Sequence, residues 1–170
     1  STGIYLLVVL CATFLVVKYV GVRTQVVGSS MENTLSNGDN LIVNKLVYRF
    51  YEPERFDIVV FPYREEQDTY YIKRIIGLPG ETIFIDQEGN IYIDDEILEE
   101  SYGREIIRNP GRAEEPITLG PDEYFVMGDN RNNSSDSRTD AVGNLHRNEI
   151  IGKAWLQIWP LSKIKVITHQ

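Results

Sequence analysis

The sequence predicts a mostly β, antiparallel, barrel-like domain behind an N-terminal apolar helix. Three observations predict it. Residues 4–17, IYLLVVLCATFLVV, form an uncharged run that is apolar all round. From Leu41 onward, β-branched and aromatic segments alternate with Gly-, Pro- and Asn-rich turns. After the first run no long stretch repeats its apolar residues with the 3.6-residue period of a helix. Many short strands without helices between them close into packed sheets or a barrel.

The helix comes first. Extended to Val22, the apolar run approaches the ~20 residues that cross a bilayer. Residues 1–22 are therefore expected to form a single transmembrane anchor. Lys18 fits such a helix when its stem carries the ammonium to the headgroups. A buried core helix and a cleaved signal sequence, cut near Gly28-Ser29-Ser30, are the competing readings. Lys18 and Arg23 lie C-terminal to the run, which taken alone favours a cytoplasmic C-terminus. The chain begins at Ser1 rather than Met, so a charged N-terminal flank is expected to be missing and the visible charges do not set the orientation.

The strands follow in order. LIVNKLVYRF (41–50), FDIVVF (56–61) and TYYIKRIIGL (69–78), closed by Pro79-Gly80, read as strands. TIFIDQEGNIYIDD (82–95) reads as a hairpin around Gln87-Glu88-Gly89-Asn90. EYFVMGD (123–129) and KAWLQIWPL (153–161) are later strands. A small insertion over about 86–121 is expected within the domain formed by 23–170, loop-rich where residues 96–121 turn polar and Gly/Pro-rich.

The totals exclude several function classes. A chain of 170 residues, 42% apolar, can bury one core and a sub-lobe. A net charge of −8 argues against a nucleic-acid groove, which needs clustered Lys and Arg. The single cysteine, Cys11, lies in the apolar run, so no intrachain disulfide forms. The two histidines, His146 and His169, are far apart, and neither belongs to a cluster with metal-ligand spacing. His146 reads as a buried or surface-paired histidine. MGDNRNNSSDSR (127–138) has calcium-loop-like Asp/Asn spacing. However, Arg131 falls among the would-be ligands, the turn glycine is missing and no Glu closes the loop. No metal is expected.

Two stretches carry chemistry. VVGSSMENTLSNGDN (26–40) places Ser29-Ser30-Met31 directly after the apolar run. It is either an ordinary loop into a strand or the seat of a serine nucleophile, and a serine hydroxyl is weak without a base. His146 could serve in principle, but no Gly-x-Ser-x-Gly elbow is present and no acid-His-Ser order is visible. Lys73 is the better base. In a strand over 70–78, side chains alternate, so Lys73 shares a face with Tyr71 and Ile75. Burial there disfavours the ammonium and lowers its pKa. A solvent-facing Lys-Arg pair on an edge is the bland alternative.

Three boxes in one order narrow the choice: Gly28-Ser29-Ser30-Met31-Glu32-Asn33-Thr34-Leu35, then Tyr71 to Glu81 (YIKRIIGLPGE), then Gly128 to Arg138 (GDNRNNSSDSR). With RFDIVVF (55–61) they resemble the boxes of the bacterial type I signal peptidases, from the apolar run almost to the C-terminus. Lys73 stands where archaeal and endoplasmic-reticulum relatives carry histidine, which points to the bacterial branch. The short insertion and single anchor resemble the smaller Gram-positive-type enzymes.

The resemblance implies a membrane-bound endopeptidase with its catalytic domain outside the cytoplasm, cleaving signal peptides from exported preproteins. It implies Ser30 as nucleophile and Lys73 as general base, with Ser134 orienting the lysine. Asp136 and Arg138 match polar residues that support the site, and Arg74 follows the lysine as expected. The Ser30 N–H is implied as an oxyanion donor. Gly28 stands where some relatives supply a second donor, a serine hydroxyl. Asn33 replaces the usual proline, which implies a less rigid turn. Substrates would carry small residues at the first and third positions before the cut. Val26, Val27, Gly28, Ser29, Met31 and Ile72 are the expected lining of shallow pockets for them. No cofactor is implied, the partners are preproteins and the lipid bilayer, and a monomer is expected. Two alternatives stay open: another Ser/Lys self-processing protease, which would carry a DNA-binding segment in place of residues 4–17, and a non-catalytic scaffold for surface-structure assembly.

Overall fold

The structure, a computed structural model, describes residues 2–169, with backbone alone for residues 17–19. Helix α1 (Thr2–Tyr19) opens the chain. It stops at Tyr19, not Val22, because Gly21 to Gln25 pair with Asn40 to Asn44 as strand β1 (Gly21–Gln25) against β2 (Asn40–Asn44). The side chains from Ile4 to Val16 are exposed; that of Lys18 lies outside the described residues. Eighteen residues at ~1.5 Å each span about 27 Å, against a hydrocarbon core of about 30 Å. Among the described residues, no helix is long and apolar enough to cross a membrane.

The expected strand over 41–50 is shorter than its composition suggests. Asn44 Oδ1 accepts hydrogen bonds from Leu46 N (2.9 Å) and Val47 N (3.1 Å), an Asx turn that ends β2. The chain then makes one helical turn, α2 (Val47–Phe50). The next expected strands form: β3 (Ile58–Pro62) and β4 (Tyr70–Gly77). Strands β5 (Thr82–Ile85) and β6 (Ile91–Ile93) make the expected hairpin, with Ile83 opposite Ile93 and Ile85 opposite Ile91.

Part of the stretch read as loop is ordered. Strands β7 (Glu96–Ile97) and β8 (Ile117–Thr118) flank this hairpin to give a four-stranded sheet, order β7-β6-β5-β8. The second sheet thus begins at Thr82, a little before the expected insertion. Gly77 is obligatory at its root, because a Cβ there would collide with Ile83.

Strands β9 (Glu123–Met127), β10 (Leu145–His146), β11 (Gly152–Trp159) and β12 (Lys165–Val166) complete the larger sheet. Its order is β1-β2-β11-β3-β4-β9-β10, with β12 on β11, and every ladder is antiparallel. The expected barrel does not form. The sheet is an open path whose end strands, β1 and the two-residue β10, do not pair with each other, and closure needs strands long enough to complete a staggered ring.

Strand β4 lies at the junction of three apolar clusters. Ile76 packs with Ile83, Ile85, Phe125 and Met127 between the two sheets. Ile75 packs with Val59, Phe61 and Val126. Ile72 borders Val26, Met31, Leu35, Leu41 and Ile58. A strand clamped on all sides can hold a charged side chain in a fixed place, and Lys73 and Arg74 are 3% and 1% exposed.

Candidate active site

The loop between β1 and β2 is tied at its neck. Val26 N donates to Asp39 O (2.8 Å), Gly38 N to Val26 O (2.8 Å) and Gly28 N to Asn37 Oδ1 (2.9 Å). Met31 and Leu35, each 1% exposed, drop into the core, which leaves Ser30 at the rim. The methionine after the serine is therefore an anchor of the loop rather than part of a substrate pocket.

Ser30 meets Lys73 from β4. Lys73 Nζ lies 2.8 Å from Ser30 Oγ and donates to Ile72 O at 3.1 Å. The amine sits 4.8 Å from the centre of the Tyr71 ring. Burial pushes its pKa down to about 8 against the opposing pull of the Asp136 and Asp129 carboxylates. A buried amine beside a hydroxyl, neutral over a useful part of the pH range, has the geometry to act as a base on a nucleophile.

The segment 128–138 builds the wall behind the serine. Asn130 N donates to Ser30 O (2.9 Å) and Asn130 Nδ2 to Ser29 O (3.0 Å), while Asn133 Nδ2 donates to Ser29 Oγ (2.8 Å). A Cβ at Gly128 would collide with Ser134 Oγ and lie 2.5 Å from Ser30 O, so glycine is required there. Three of the expected supporting residues, Arg74, Asp136 and Arg138, enter two buried ion pairs, Arg74 with Asp129 and Arg138 with Asp136. Arg74 Nε and Nη2 donate to the two oxygens of Asp129 (2.9 and 2.7 Å), and Thr34 Oγ1 donates to Asp129 Oδ2 (2.5 Å). Arg138 Nε and Nη2 donate to Asp136 (2.8 and 2.9 Å), whose Oδ2 also accepts from Gly128 N (3.0 Å). The first pair joins β4 to the 128–138 segment and, through Thr34 Oγ1, to the Ser30 loop, and the second holds the turn that carries Ser134. Among the described residues, Ser134 Oγ is buried and makes no hydrogen bond, to Lys73 or to any other group.

A cavity of about 440 Å³ opens over the dyad. Val26, Val27, Gly28, Ser29, Ile72 and the dyad itself line it, and Met31 does not. His146 stands elsewhere, on β10, with Nδ1 3.3 Å from Asp122 and Nε2 3.9 Å from Glu123. Glu54, Asp57 and His169 bring ligand atoms within 4.8 Å of one another, but Lys153 Nζ lies 2.5 Å from Asp57 Oδ1 and supplies a cation there.

Sequence reasoning missed Asp129, Asn130, Asn133 and Thr34. All four lie inside boxes already singled out. The available signal was physical for two of them: Asp129 and Asn130 come just after β9 and are buried, and buried polar side chains need partners.

Asn33 also reads differently in the structure. Its φ is +87°, a left-handed conformation that asparagine tolerates and that proline, locked near −65°, does not. The residue is not a softened proline but the one this turn uses. Asn33→Pro should destabilise by more than about 1 kcal/mol and reduce activity; a Tm equal to or above that of the parent would contradict this.

Comparison with known proteins agrees with the geometry. The family described as "Signal peptidase, peptidase S26" matches residues 1–159. The chain belongs to that family. It is similar to signal peptidase I P of Bacillus subtilis subsp. natto, 38% identical over 167 residues that cover 94% of this chain and 86% of that protein. Signal peptidase I of Leptolyngbya laminosa is 38% identical over 162 residues, covering 88% of this chain and 77% of that one. A solved signal peptidase I from Enterococcus faecalis V583 is 30% identical and covers 61% of this chain and 97% of its own, with a TM-score of 0.48. This signal peptidase homologue is a serine endopeptidase acting on signal peptides, and the scaffold and self-processing readings are not favoured.

Proposed function

We propose that this peptidase cuts with a Ser30/Lys73 dyad while held on a membrane by α1. The 2.8 Å approach of Lys73 Nζ to Ser30 Oγ carries the proposal. Neutral Lys73 takes the Ser30 proton as Oγ attacks the scissile carbonyl. The amine leaving group departs with a proton from Lys73, and an ester acyl-enzyme remains. Lys73 then activates the water that hydrolyses it. Ser30 N–H donates to no acceptor among the described residues, so it is free for the developing oxyanion.

Ser134 completes the base. A neutral amine has two N–H donors and one lone pair. If the lone pair accepts the Ser30 proton, Ile72 O takes one N–H; the other has no acceptor in the structure, and Ser134 Oγ, buried and unpartnered, would have to close on the amine to take it. Ser134→Ala should lower kcat by about 100-fold, the scale of one preorganised hydrogen bond, leaving nucleophile and base in place. Wild-type kcat in that variant would remove Ser134 from the mechanism.

The substrate runs as an extended chain through the cavity between Val26–Ser29 and Tyr70–Lys73. Packing against Val26, Val27 and Ile72 leaves room for small side chains at the first and third positions before the cut. The exposed apolar surface of α1, together with exposed Trp155, Trp159, Leu161, Ile164 and Val166, favours contact with lipid over water. We place α1 in the bilayer as a single-pass anchor, with local thinning absorbing its short length. Residues from 23 onward then form a monomeric domain on the extracytoplasmic side. The test is incubation of the full chain, in detergent, with a preprotein carrying Ala at both small positions. Mass spectrometry should find one cut after the second Ala. No cleavage, or a cut that moves freely when either Ala becomes Leu, would overturn the reading.

A further inference from the structure

The segment Glu100-Ser101-Tyr102-Gly103-Arg104 leaves the small sheet after β7 and crosses the groups that support the dyad. Each end of it grips something. Glu100 Oε1 meets Arg131 Nη1 at 2.7 Å in a nearly buried pair, and Glu100 Oε2 accepts from Tyr102 N and Gly103 N (2.7 and 3.2 Å). Although burial pushes the Glu100 carboxyl up, Arg131 and these N–H groups hold it below the usual carboxylate range. The Tyr102 ring covers the Arg74 guanidinium, 3.7 Å from its Cζ, on the side chain that pairs with Asp129. Gly103 lets the strap lie flat, since a Cβ would come 3.1 Å from Arg131 Nη1. Arg104 N donates to Asp129 O at 2.8 Å, and Arg104 Nη1 donates at 2.6 Å to Glu32, two residues beyond the nucleophile.

We infer that this strap is a positioning device: the small sheet holds the Ser30 loop and the 128–131 wall in register with Lys73 through Glu100, Tyr102 and Arg104. The inference rests on Ser30 being the nucleophile. Its most telling contact is Arg104–Glu32. Both side chains are substantially exposed, 43% and 37%, so the pair adds little to stability. A role in the fold alone would leave no trace in kcat when it is removed. A role in register would, because a displacement of an ångström or less at a nucleophile slows the reaction steeply.

Arg104→Met should lower kcat by about tenfold with KM nearly unchanged and Tm moving by no more than about 2 °C. Its rising pH limb should stay where the parent's is, since Lys73 is untouched. The charge swap Arg104→Glu with Glu32→Arg should return kcat to within about threefold of the parent. Hydrogen exchange gives an independent readout: amides of residues 29–35 should exchange faster in Arg104→Met. A wild-type kcat in that variant, or a swap no better than either single, would overturn the inference. Unchanged exchange over 29–35 would overturn it whatever Ser30→Ala does. Activity surviving in Ser30→Ala would instead count against the nucleophile assignment.

Discussion

Ser30→Ala and Lys73→Ala are each expected to lower kcat by about 100,000-fold, and the double variant to be hardly worse than either. The two groups act in one step, so removing the second after the first takes away nothing further. Independent, multiplying losses would count against a dyad. Lys73→Arg should be equally dead, since a guanidinium does not give up its proton to act as a base. Lys73→Met separates chemistry from folding. The folded pKa is about 8 and the ordinary value 10.5. Between these the unfolded chain holds a proton that the folded chain has released, so stability rises with pH across that window. Below about 8 the full cost of burying the ammonium is present, on the order of 3 kcal/mol. Lys73→Met removes that cost. It should be inactive yet raise Tm at pH 7 by about 6–12 °C, which thermal unfolding beside a cleavage assay would measure. A lower Tm at pH 7 would mean that Lys73 is not held as an unfavourable buried cation.

Asp129→Ala should have the largest effect on stability among single changes near the site. It leaves the Arg74 guanidinium, on a side chain 2% exposed, without its carboxylate. Breaking one partner of a buried pair costs about 3–5 kcal/mol, a large share of a domain's net 5–15 kcal/mol or so. Tm should fall by about 10 °C, and kcat should fall with it, because Thr34 and Arg104 N–H lose their common partner or its placement. Replacing both members by apolar residues, Arg74→Met with Asp129→Leu, should unfold less readily than Asp129→Ala, since no charge is then left unpaired. Equal Tm values for parent and Asp129→Ala would show that the pair is not what joins β4 to the nucleophile loop.

Much of this was legible before any coordinates. Alternation over 70–78 placed Lys73 beside Tyr71 on one face of a strand, and the amine does lie against that ring. The 82–95 hairpin followed from its turn residues and alternating isoleucines. What was hidden depended on long-range contacts. Asn44 ends a β-branched run because its side chain turns back on the backbone, and no propensity scale carries that. The strands β7 and β8 are two residues each, too short for a period to appear. ESYGRE reads as an unstructured polar loop because Glu100, Tyr102 and Arg104 find their partners, Arg131, Arg74 and Glu32, 28 or more residues away along the chain. The left-handed Asn33 was read as a lost proline, since backbone sign is invisible in composition. Met31 was assigned to the substrate pocket because it adjoins the serine, whereas in the turn that follows β1 its side chain packs into the core with Val26, Leu35 and Leu41.

The central claim is that a buried, neutral lysine is the base. The pH dependence of kcat/KM on a short peptide tests it most directly, measured on the full chain in detergent with His146→Ala alongside. Activity should rise with pH through a single limb at about 8 as Lys73 loses its proton, and His146→Ala should follow the same curve. A limb near ~6.5 that disappears with His146→Ala would contradict the Ser30/Lys73 mechanism.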